Sequence, residues 1–320
     1  MSGALIGPVA VLDAMPEDMQ DKVRGYAEGL DLRFAHSFSE EDFAKTVKGA
    51  AYIVPRGRGL PASVLRGADS VRLVHQWGTG YDKIPVDVAK EMGVTVARSP
   101  GVNAPTIADL TIGMMIAALR RIPLHYNNTR AGKWIVPEIV PGARDLSSQK
   151  VGLIGFGAIG QLVAKRLTGF DCEVHYYRRS GEAEGTSARF AERDEILETC
   201  DIVSLHMPLT EASHRTIGAA ELARMKSDAL LVNTGRGGLI DEAALIDTLT
   251  NKRIAGAALD VFTEEPVEPD NPLLRLDNVL PLPHIGGHSE DNLRRMVNHW
   301  ASNIRAFHEG RGIDESCIVT

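Results

Sequence analysis

Three residues late in the chain, Arg236, Glu265 and His284, have side chains that together could polarise, orient and protonate a carbonyl group. A guanidinium presents a fixed fork of donors to a carboxylate or a developing oxyanion. An imidazole can give and take a proton near neutral pH. A neighbouring carboxylate favours the charged imidazole and extends the pH range over which it can donate. The three residue types therefore predict acid–base chemistry on a carbonyl compound.

A glycine-rich segment, Gly155-Phe156-Gly157-Ala158-Ile159-Gly160, precedes these residues. The apolar residues 151–154 predict a short buried strand before it, and residues 159–167 predict the start of a helix after it. In such a unit the first glycine permits a tight turn, the second lets the backbone approach a pyrophosphate, and the third lets helix and strand pack closely. The sequence therefore predicts a dinucleotide site that includes Gly155, Gly157, Ala158, Ile159 and Gly160.

The end of the next strand indicates which dinucleotide is bound. An NAD site normally places an acidic residue about 20 positions past the fingerprint, where it accepts from the ribose 2′-hydroxyl. Here the strand at 173–177 ends in Arg178, Arg179 and Ser180, and Arg178 is 18 positions after Gly160. Arginine binds phosphate through bidentate, charge-assisted bonds. We therefore expect NADP(H) to be preferred, with NAD(H) possible; the alternative is a pair of solvated arginines that close a strand.

Composition limits the class of protein. A chain of 320 residues predicts two domains, and its net charge of −7 provides no basic surface for nucleic acid. The most apolar run, 111–119, is far shorter than the roughly 18 residues that span a bilayer, so no membrane segment is expected. Three widely spaced cysteines predict reduced thiols in a cytoplasmic protein. His284 and His288 are separated by two glycines that disfavour a shared helix face, so no metal site is expected.

Short apolar segments alternate with helical stretches from residue 151 onward, which is typical of a parallel doubly wound sheet. A second alternating set before it predicts a smaller α/β domain. An apolar helix at 104–121 and an amphipathic helix at 289–308 are expected to carry the chain between the domains. We place the domains at 1–103 with 288–320 and at 104–287. Such a pair would form a cleft suited to a small molecule. Strands are predicted at 10–12, 51–54, 72–74, 151–154, 173–177, 202–205, 229–232, 255–259 and 278–280.

Six ordered segments of the chain are specific in combination: Gly78-Thr79-Gly80-Tyr81-Asp82, Ala108-Asp109-Leu110, Gly155 to Gly160, Asn233-Thr234-Gly235-Arg236-Gly237, Asp260-Val261-Phe262-Thr263-Glu264-Glu265-Pro266 and Pro283-His284-Ile285-Gly286. Together they resemble the D-2-hydroxyacid dehydrogenase family over nearly the full length. The resemblance implies a Rossmann-type doubly wound parallel sheet plus a smaller flavodoxin-like α/β substrate domain, with a cleft between them. It also implies a homodimer formed largely through the cofactor domains.

The resemblance carries roles to individual positions. Arg236 resembles the residue that binds the substrate carboxylate and polarises the carbonyl oxygen. His284 resembles the general acid that protonates this oxygen during reduction and takes the proton back during oxidation. Glu265 would hydrogen-bond the imidazole. Asp260 resembles a residue near the nicotinamide that helps to fix the cofactor, and Pro208 is assigned to the same cofactor site.

Substrate-binding positions are expected in the first part of the chain. The backbone amides of Gly78, Thr79 and Gly80 would cradle the substrate carboxylate. Arg56, on a loop expected to overhang the cleft together with Arg58, could meet a second anionic group. Trp77 makes a bulky, aromatic-facing pocket possible.

Within the family, the Arg178-Arg179-Ser180 run and the preceding Phe170-Asp171-Cys172 resemble an NADPH-preferring glyoxylate and hydroxypyruvate reductase branch. Trp134 resembles the aromatic residue that one subunit lends to its partner's substrate pocket; alternatively it packs in the dimer interface. The expected reaction is the reduction of a small 2-oxo acid, glyoxylate or hydroxypyruvate, to the 2-hydroxy acid, as the D-isomer where the product is chiral.

The sequence is also consistent with two alternative functions. The first is a reductase for another 2-oxo acid, such as phenylpyruvate or pyruvate, that uses NAD. Gln76 and Trp77 disfavour a phosphorylated substrate, and Thr79 disfavours phosphite, because relatives that act on those compounds tend to carry other residues there. The second is a nucleotide-sensing protein like the transcriptional corepressors built on this scaffold, since a fold alone does not decide between catalysis and binding.

Overall fold

The computed structural model describes residues 5–137, 140 and 142–320 of the chain. The chain divides into two compact units, Met1–Asn103 with His288–Thr320, and Ala104–Gly287. Each unit contains one parallel β-sheet with helices on both faces. The predicted α/β fold with two sheets is confirmed.

The first unit has a five-stranded sheet in the order β2-β1-β3-β4-β5, the flavodoxin-like order. Alternate side chains of β1 enter two different cores, since Val9 and Val11 face one side and Ala10 and Leu12 the other. The elements are β1 (Ile6–Leu12), α1 (Glu17–Tyr26), β2 (Leu30–Phe34), α2 (Glu40–Val47), β3 (Tyr52–Pro55), α3 (Ala62–Arg66), β4 (Leu73–His75), α4 (Val86–Glu91), β5 (Thr95–Ala97) and the last helix of the chain, α11 (Glu290–His308).

The second unit has a seven-stranded sheet in the order β12-β11-β10-β9-β6-β7-β8. Counted within the unit, this is the Rossmann order 3-2-1-4-5-6 with one further strand at the edge. The elements are α5 (Ala104–Leu119), α6 (Ile122–Arg130), β6 (Lys150–Ile154), α7 (Ala158–Leu167), β7 (Glu173–Tyr177), β8 (Arg189–Phe190), α8 (Arg193–Thr199), β9 (Ile202–Leu205), α9 (Ala219–Arg224), β10 (Leu230–Asn233), α10 (Glu242–Thr250), β11 (Gly256–Leu259) and β12 (Val279–Pro281).

Two predicted helices keep nearly the expected bounds. The apolar helix α5 packs into the core of the second unit through residues such as Ile112 and Met115. The amphipathic helix α11 packs into the core of the first unit through Met296 and Trp300. Ser289 starts α11, because its side chain accepts from the backbone N–H of Asn292. Strands β2, β5 and β8 and the helix α6 were not predicted.

All ten strand pairs in the two sheets are parallel. The carboxyl ends of all strands of one sheet therefore lie along one edge, which is where ligands bind in open α/β sheets. Both sets of predicted site residues follow strands at such edges.

Candidate active site

The glycine turn joins β6 to α7 as the fingerprint predicts. Gly155 has a φ of 103°, and an added Cβ there would lie 2.5 Å from the carbonyl carbon of His206. An added Cβ at Gly160 would lie 2.4 Å from the carbonyl oxygen of Gly155. At Gly157, in contrast, an added Cβ would meet no atom of the described chain within 4 Å. Packing thus requires the first and third glycines, whereas the second leaves open space where a pyrophosphate would approach.

The first turn of α7 faces this open space. Gly157 is the residue before the helix, and Ala158 and Ile159 are its first two residues. The first backbone N–H groups of a helix have no intrahelical acceptor, and they carry a partial positive charge. The backbone N–H groups of this turn are therefore suited to hold the phosphates of a dinucleotide, and the open space beside Gly157 fits a pyrophosphate.

The two arginines after β7 have different surroundings. The Nε atom of Arg178 donates to the carbonyl oxygen of Gly181 at 2.7 Å, and its Nη2 atom donates to the carbonyl oxygen of Glu182. Arg178 therefore fixes the turn at the strand end. Arg179 and Ser180 are exposed, so their side chains are the accessible donors for an anionic group at this position.

The segment after β9 borders the glycine turn. Pro208 is exposed, and its carbonyl oxygen accepts from the hydroxyl of Ser213 at 2.7 Å. His206, which sequence analysis did not identify, lies against the turn, and its Nε2 atom is 2.9 Å from the hydroxyl oxygen of Ser204. Desolvation lowers the pKa of His206 to about 4, so its ring is neutral at neutral pH. Its place directly after a buried strand was the signal that could have found it.

His284 and Glu265 form a direct pair. The Nδ1 atom of His284 is 2.7 Å from Oε2 of Glu265. The other oxygen, Oε1, accepts from the backbone N–H of Phe262 at 3.1 Å. Because an ionised carboxylate only accepts hydrogen bonds, Nδ1 carries a proton and Nε2 points away from the carboxylate. The His284 side chain is 47% exposed, so this second nitrogen can reach a substrate.

Asp260 fixes the backbone that follows His284. Its two carboxylate oxygens accept from the N–H groups of Ile285, at 2.8 Å, and Gly286, at 2.7 Å. Burial raises the pKa of this carboxyl, and the two hydrogen bonds act in the opposite direction. His284 itself has a φ of 55°, a left-handed conformation. Asp260 thus helps to determine where the imidazole points.

Arg236 lies in a turn held against the segment that leads to Glu265. The buried side chain of Asn233 bridges this turn, accepting from Gly235 N at 3.0 Å and donating to the carbonyl oxygen of Arg236 at 2.9 Å. An added Cβ at Gly237 would lie only 1.9 Å from the carbonyl carbon of Phe262. Glycine is therefore required where the two segments meet.

The three predicted residues follow neighbouring strands. Arg236 comes after β10, Glu265 after β11 and His284 after β12, and β11 pairs with both of the others. The second unit therefore presents a guanidinium, a carboxylate and an imidazole along the same edge of its sheet. This set can stabilise a negative oxygen and exchange a proton with it.

In the first unit, the Gly78–Gly80 loop follows β4. Ser99 holds this loop, because its N–H donates to the carbonyl oxygen of Gly78 at 3.0 Å and its own carbonyl oxygen accepts from the Thr79 hydroxyl at 2.8 Å. Within the described residues, the N–H groups of Gly78, Thr79 and Gly80 donate to no protein acceptor. Successive N–H groups of this kind form a concave site for an anion.

Arg56 and Trp77 lie beside this loop. The Nη1 atom of Arg56 is 3.0 Å from Oδ2 of Asp13, and its guanidinium carbon lies 5.1 Å from the centre of the Trp77 ring. Trp77 is only 6% exposed and packs against Trp300, with ring centres 5.6 Å apart. Trp77 thus belongs to the core of the first unit, and Arg56 covers it.

Known proteins resemble the chain in sequence and in structure. Residues 112–286 match the family described as D-isomer specific 2-hydroxyacid dehydrogenase, NAD binding domain. A glyoxylate reductase of Korarchaeum cryptofilum is 40% identical over 257 residues, which cover 78% of this chain and 77% of that protein. The crystal structure of the TT0316 protein from Thermus thermophilus has a TM-score of 0.86 at 32% identity and covers 98% of this chain and 99% of that one.

A further solved structure resembles the chain and contains a cofactor. It is an NADPH-dependent glyoxylate/hydroxypyruvate reductase from Sinorhizobium meliloti in complex with NADP and malonate. Its TM-score is 0.84 at 27% identity, and the match covers 98% of this chain and 97% of that one.

In the described part of the chain, no helix combines the length and the apolar character that crossing a membrane requires.

Proposed function

The chain belongs to the D-isomer specific 2-hydroxyacid dehydrogenase family, and from this premise we propose that it reduces a small 2-oxo acid, glyoxylate or hydroxypyruvate, with NADPH. The observation that carries the proposal is the His284–Glu265 hydrogen bond at the same sheet edge as Arg236. Where the product is chiral, it is the D-2-hydroxy acid. The names of the Korarchaeum and Sinorhizobium relatives support this substrate class.

The residues of the second unit have complementary tasks in this proposal. A nicotinamide cofactor held at the Gly155–Gly160 turn would supply the hydride for the carbonyl carbon. Arg236 binds the substrate carboxylate and stabilises the negative charge that develops on the carbonyl oxygen. His284 donates its Nε2 proton to this oxygen, while Glu265 holds Nδ1 and stabilises the charged ring. In the reverse direction, Nε2 of His284 accepts the proton.

The remaining site residues bind and position. The amides of Gly78, Thr79 and Gly80 bind the substrate carboxylate. In support of this role, their N–H groups donate to no acceptor among the residues that the structure describes. Asp260 keeps the His284 segment in place. Contacts of Trp77 and Arg56 with the substrate remain predictions.

The preference for NADP(H) rests on the end of β7. Arg179 and Ser180 are exposed where an NAD-binding chain normally carries a carboxylate. Their donors suit the 2′-phosphate, whereas Arg178 shapes the turn from which they project. The NADP complex of the Sinorhizobium relative is consistent with this preference.

We propose in addition that the chain forms a homodimer through its cofactor unit. The surface of α6 and the segment after it is unusually apolar, and Trp134 is 82% exposed. Large exposed apolar patches mark association sites. Light scattering of the purified chain should give twice the mass of one chain, and a monomer at micromolar concentration would contradict the proposal. The apolar residues are Ile122, Leu124, Tyr126, Trp134, Ile135 and Val136.

The enzymatic proposal is tested by following coenzyme absorbance in the purified protein. Glyoxylate, hydroxypyruvate, pyruvate and phenylpyruvate are each offered with NADPH and with NADH. We expect the highest kcat/KM for glyoxylate or hydroxypyruvate with NADPH. Faster turnover of pyruvate or phenylpyruvate with NADH would identify another 2-oxo acid reductase. Nucleotide binding with no turnover of any 2-oxo acid would favour a nucleotide-sensing binding protein.

A further inference from the structure

An ion pair lies at the carboxyl edge of the first unit's sheet, between Asp13 and Arg56. The register of β1 and β3 pairs Leu12 with Pro55, so the next residue of each strand comes side by side. The Arg56 Nη1 and Asp13 Oδ2 atoms are 3.0 Å apart, and Asp13 is only 9% exposed. Sheet topology therefore builds a charge-assisted hydrogen bond at an edge where such folds bind ligands.

This pair is close to the loop assigned to the substrate carboxylate. Trp77 donates its backbone N–H to the carbonyl oxygen of Pro55 at 3.0 Å, which joins the end of β4 to the end of β3. The Arg56 guanidinium lies over the Trp77 ring, and Gly78 is the next residue. A cation at Arg56 would thus stand beside a substrate whose carboxylate is bound by Gly78, Thr79 and Gly80.

The charge of Asp13 determines whether the Arg56 guanidinium can bind a second carboxylate on the substrate. An unpaired guanidinium here would attract a second carboxylate on the substrate. Asp13 instead occupies part of the donor fork, offsets the positive charge, and repels a further anion. Arg58, on the same loop, is exposed, and its guanidinium carbon lies 5.5 Å from the centre of the Phe38 ring.

We infer that Asp13 is a specificity-determining residue that restricts the enzyme to 2-oxo acids with a single carboxylate by neutralising Arg56. This inference rests on the proposed function. Asp13 lies before all six sequence segments that resemble the family, the first of which begins at Gly78.

The experiment compares kcat/KM for glyoxylate and hydroxypyruvate with that for oxaloacetate and 2-oxoglutarate. The unmodified enzyme should favour the monocarboxylates by about tenfold or more. Asp13→Asn should shift the ratio toward the dicarboxylates by about tenfold or more, mainly through KM, because one charge-assisted hydrogen bond becomes available. Asp13→Glu, which keeps the charge, should retain most of the original preference. In the double variant Asp13→Asn/Arg56→Gln, the gain should disappear.

A matched control is the exposed pair of Arg66 and Glu91 in the same unit, whose Nη2 and Oε2 atoms are 2.8 Å apart. Glu91→Gln should leave the substrate ratio unchanged. Asp13→Ser serves as a second neutral variant where Asp13→Asn does not fold. An unmodified enzyme that reduces oxaloacetate as well as glyoxylate, or a folded neutral variant with the original ratio, would overturn the inference. Absence of turnover with every 2-oxo acid would instead overturn the proposed function.

Discussion

Nδ1 of His284 is 2.7 Å from Oε2 of Glu265, and Glu265 is itself fixed by the backbone N–H of Phe262. The carboxylate therefore determines both the orientation of the imidazole and which of its nitrogens faces a substrate. The pair brings together two residues 19 positions apart in the chain.

Replacing Glu265 with Gln tests this relationship. Glutamine can still accept a hydrogen bond from Nδ1, but it does not stabilise the charged imidazole. We expect kcat for reduction at neutral pH to fall by about tenfold or more, within the range that general acid catalysis contributes. A kcat in Glu265→Gln that matches that of the unmodified enzyme would contradict the assigned role.

Arg179 should control the choice of coenzyme. Arg179→Gln removes an exposed cation without disturbing the turn, so the Kd for NADPH should rise by about tenfold or more, while the Kd for NADH changes little. Arg178→Gln should weaken both coenzymes, because Arg178 donates to the carbonyl oxygens of the turn. Fluorescence titration gives both constants. Arg189, an exposed arginine paired with Glu195, is the control position. An unchanged NADPH-to-NADH ratio in Arg179→Gln would refute the phosphate contact.

Glu242, which sequence analysis did not identify, should position Glu265. Its Oε2 accepts from the N–H of Thr263 at 3.0 Å, and its Oε1 accepts from the side chain of Asn271 at 2.8 Å. Both partners flank Glu265. In Glu242→Ala we expect kcat to fall severalfold or more, with coenzyme affinity preserved, and a loss of about 1–3 kcal/mol of stability.

Measuring both kcat and the free energy of unfolding shows whether Glu242 positions Glu265 or only stabilises the fold. Glu242→Gln retains an acceptor and should recover much of the lost kcat. Glu198→Gln, which breaks an exposed ion pair with Arg224, is the control. If Glu242→Ala loses stability but keeps its kcat, the residue is structural only.

His75 should make the first unit sensitive to acid. Its Nδ1 donates to the carbonyl oxygen of Gln76 at 3.0 Å, and its Nε2 accepts from the amide of Asn303 at 2.9 Å, which is the pattern of a neutral ring. Burial lowers the pKa of His75 from 6.5 to about 3, and the neighbouring His299 acts in the same direction. Below about pH 6.5 the unfolded chain binds more protons, so stability falls as the pH falls toward 3.

For this one group the loss between pH 7 and pH 5 is about 2 kcal/mol. Urea unfolding at the two pH values measures it, and His75→Gln should reduce the difference by about this amount. His36 is exposed, so His36→Gln should leave the difference unchanged. Equal pH dependence in the His75 variant and the unmodified protein would show that this ring does not titrate on unfolding.

Local sequence patterns were enough to predict the doubly wound sheet and the glycine turn. Strands β7 and β9 have the predicted bounds, because short runs rich in β-branched, aromatic or other apolar residues indicate buried strands. The short strands β5 and β8 were not predicted, because two or three residues contain too little periodicity. Their pairing is determined by neighbouring strands rather than by their own sequence.

Contacts between distant residues set the limits of prediction at the site. Arg56 was expected to be available to an anion, but Asp13 is 43 positions away in sequence and becomes its neighbour only through the register of β1 and β3. Similarly, the hydrogen bonds of Asp260 to the segment after His284 span 25 and 26 positions. Histidine adopts a left-handed backbone more often than most non-glycine residues do, but its residue type alone does not predict the φ of 55° at His284.

The most direct test of the account replaces His284 with Asn and compares turnover with cofactor binding. Asparagine tolerates the left-handed φ of 55°, whereas alanine would add backbone strain. We predict that kcat for NADPH-dependent reduction of glyoxylate falls by about 100-fold or more, while the Kd for NADPH stays within about threefold of its original value. Retained turnover, or a large loss of NADPH binding in a folded variant, would contradict the role of His284 as the proton donor.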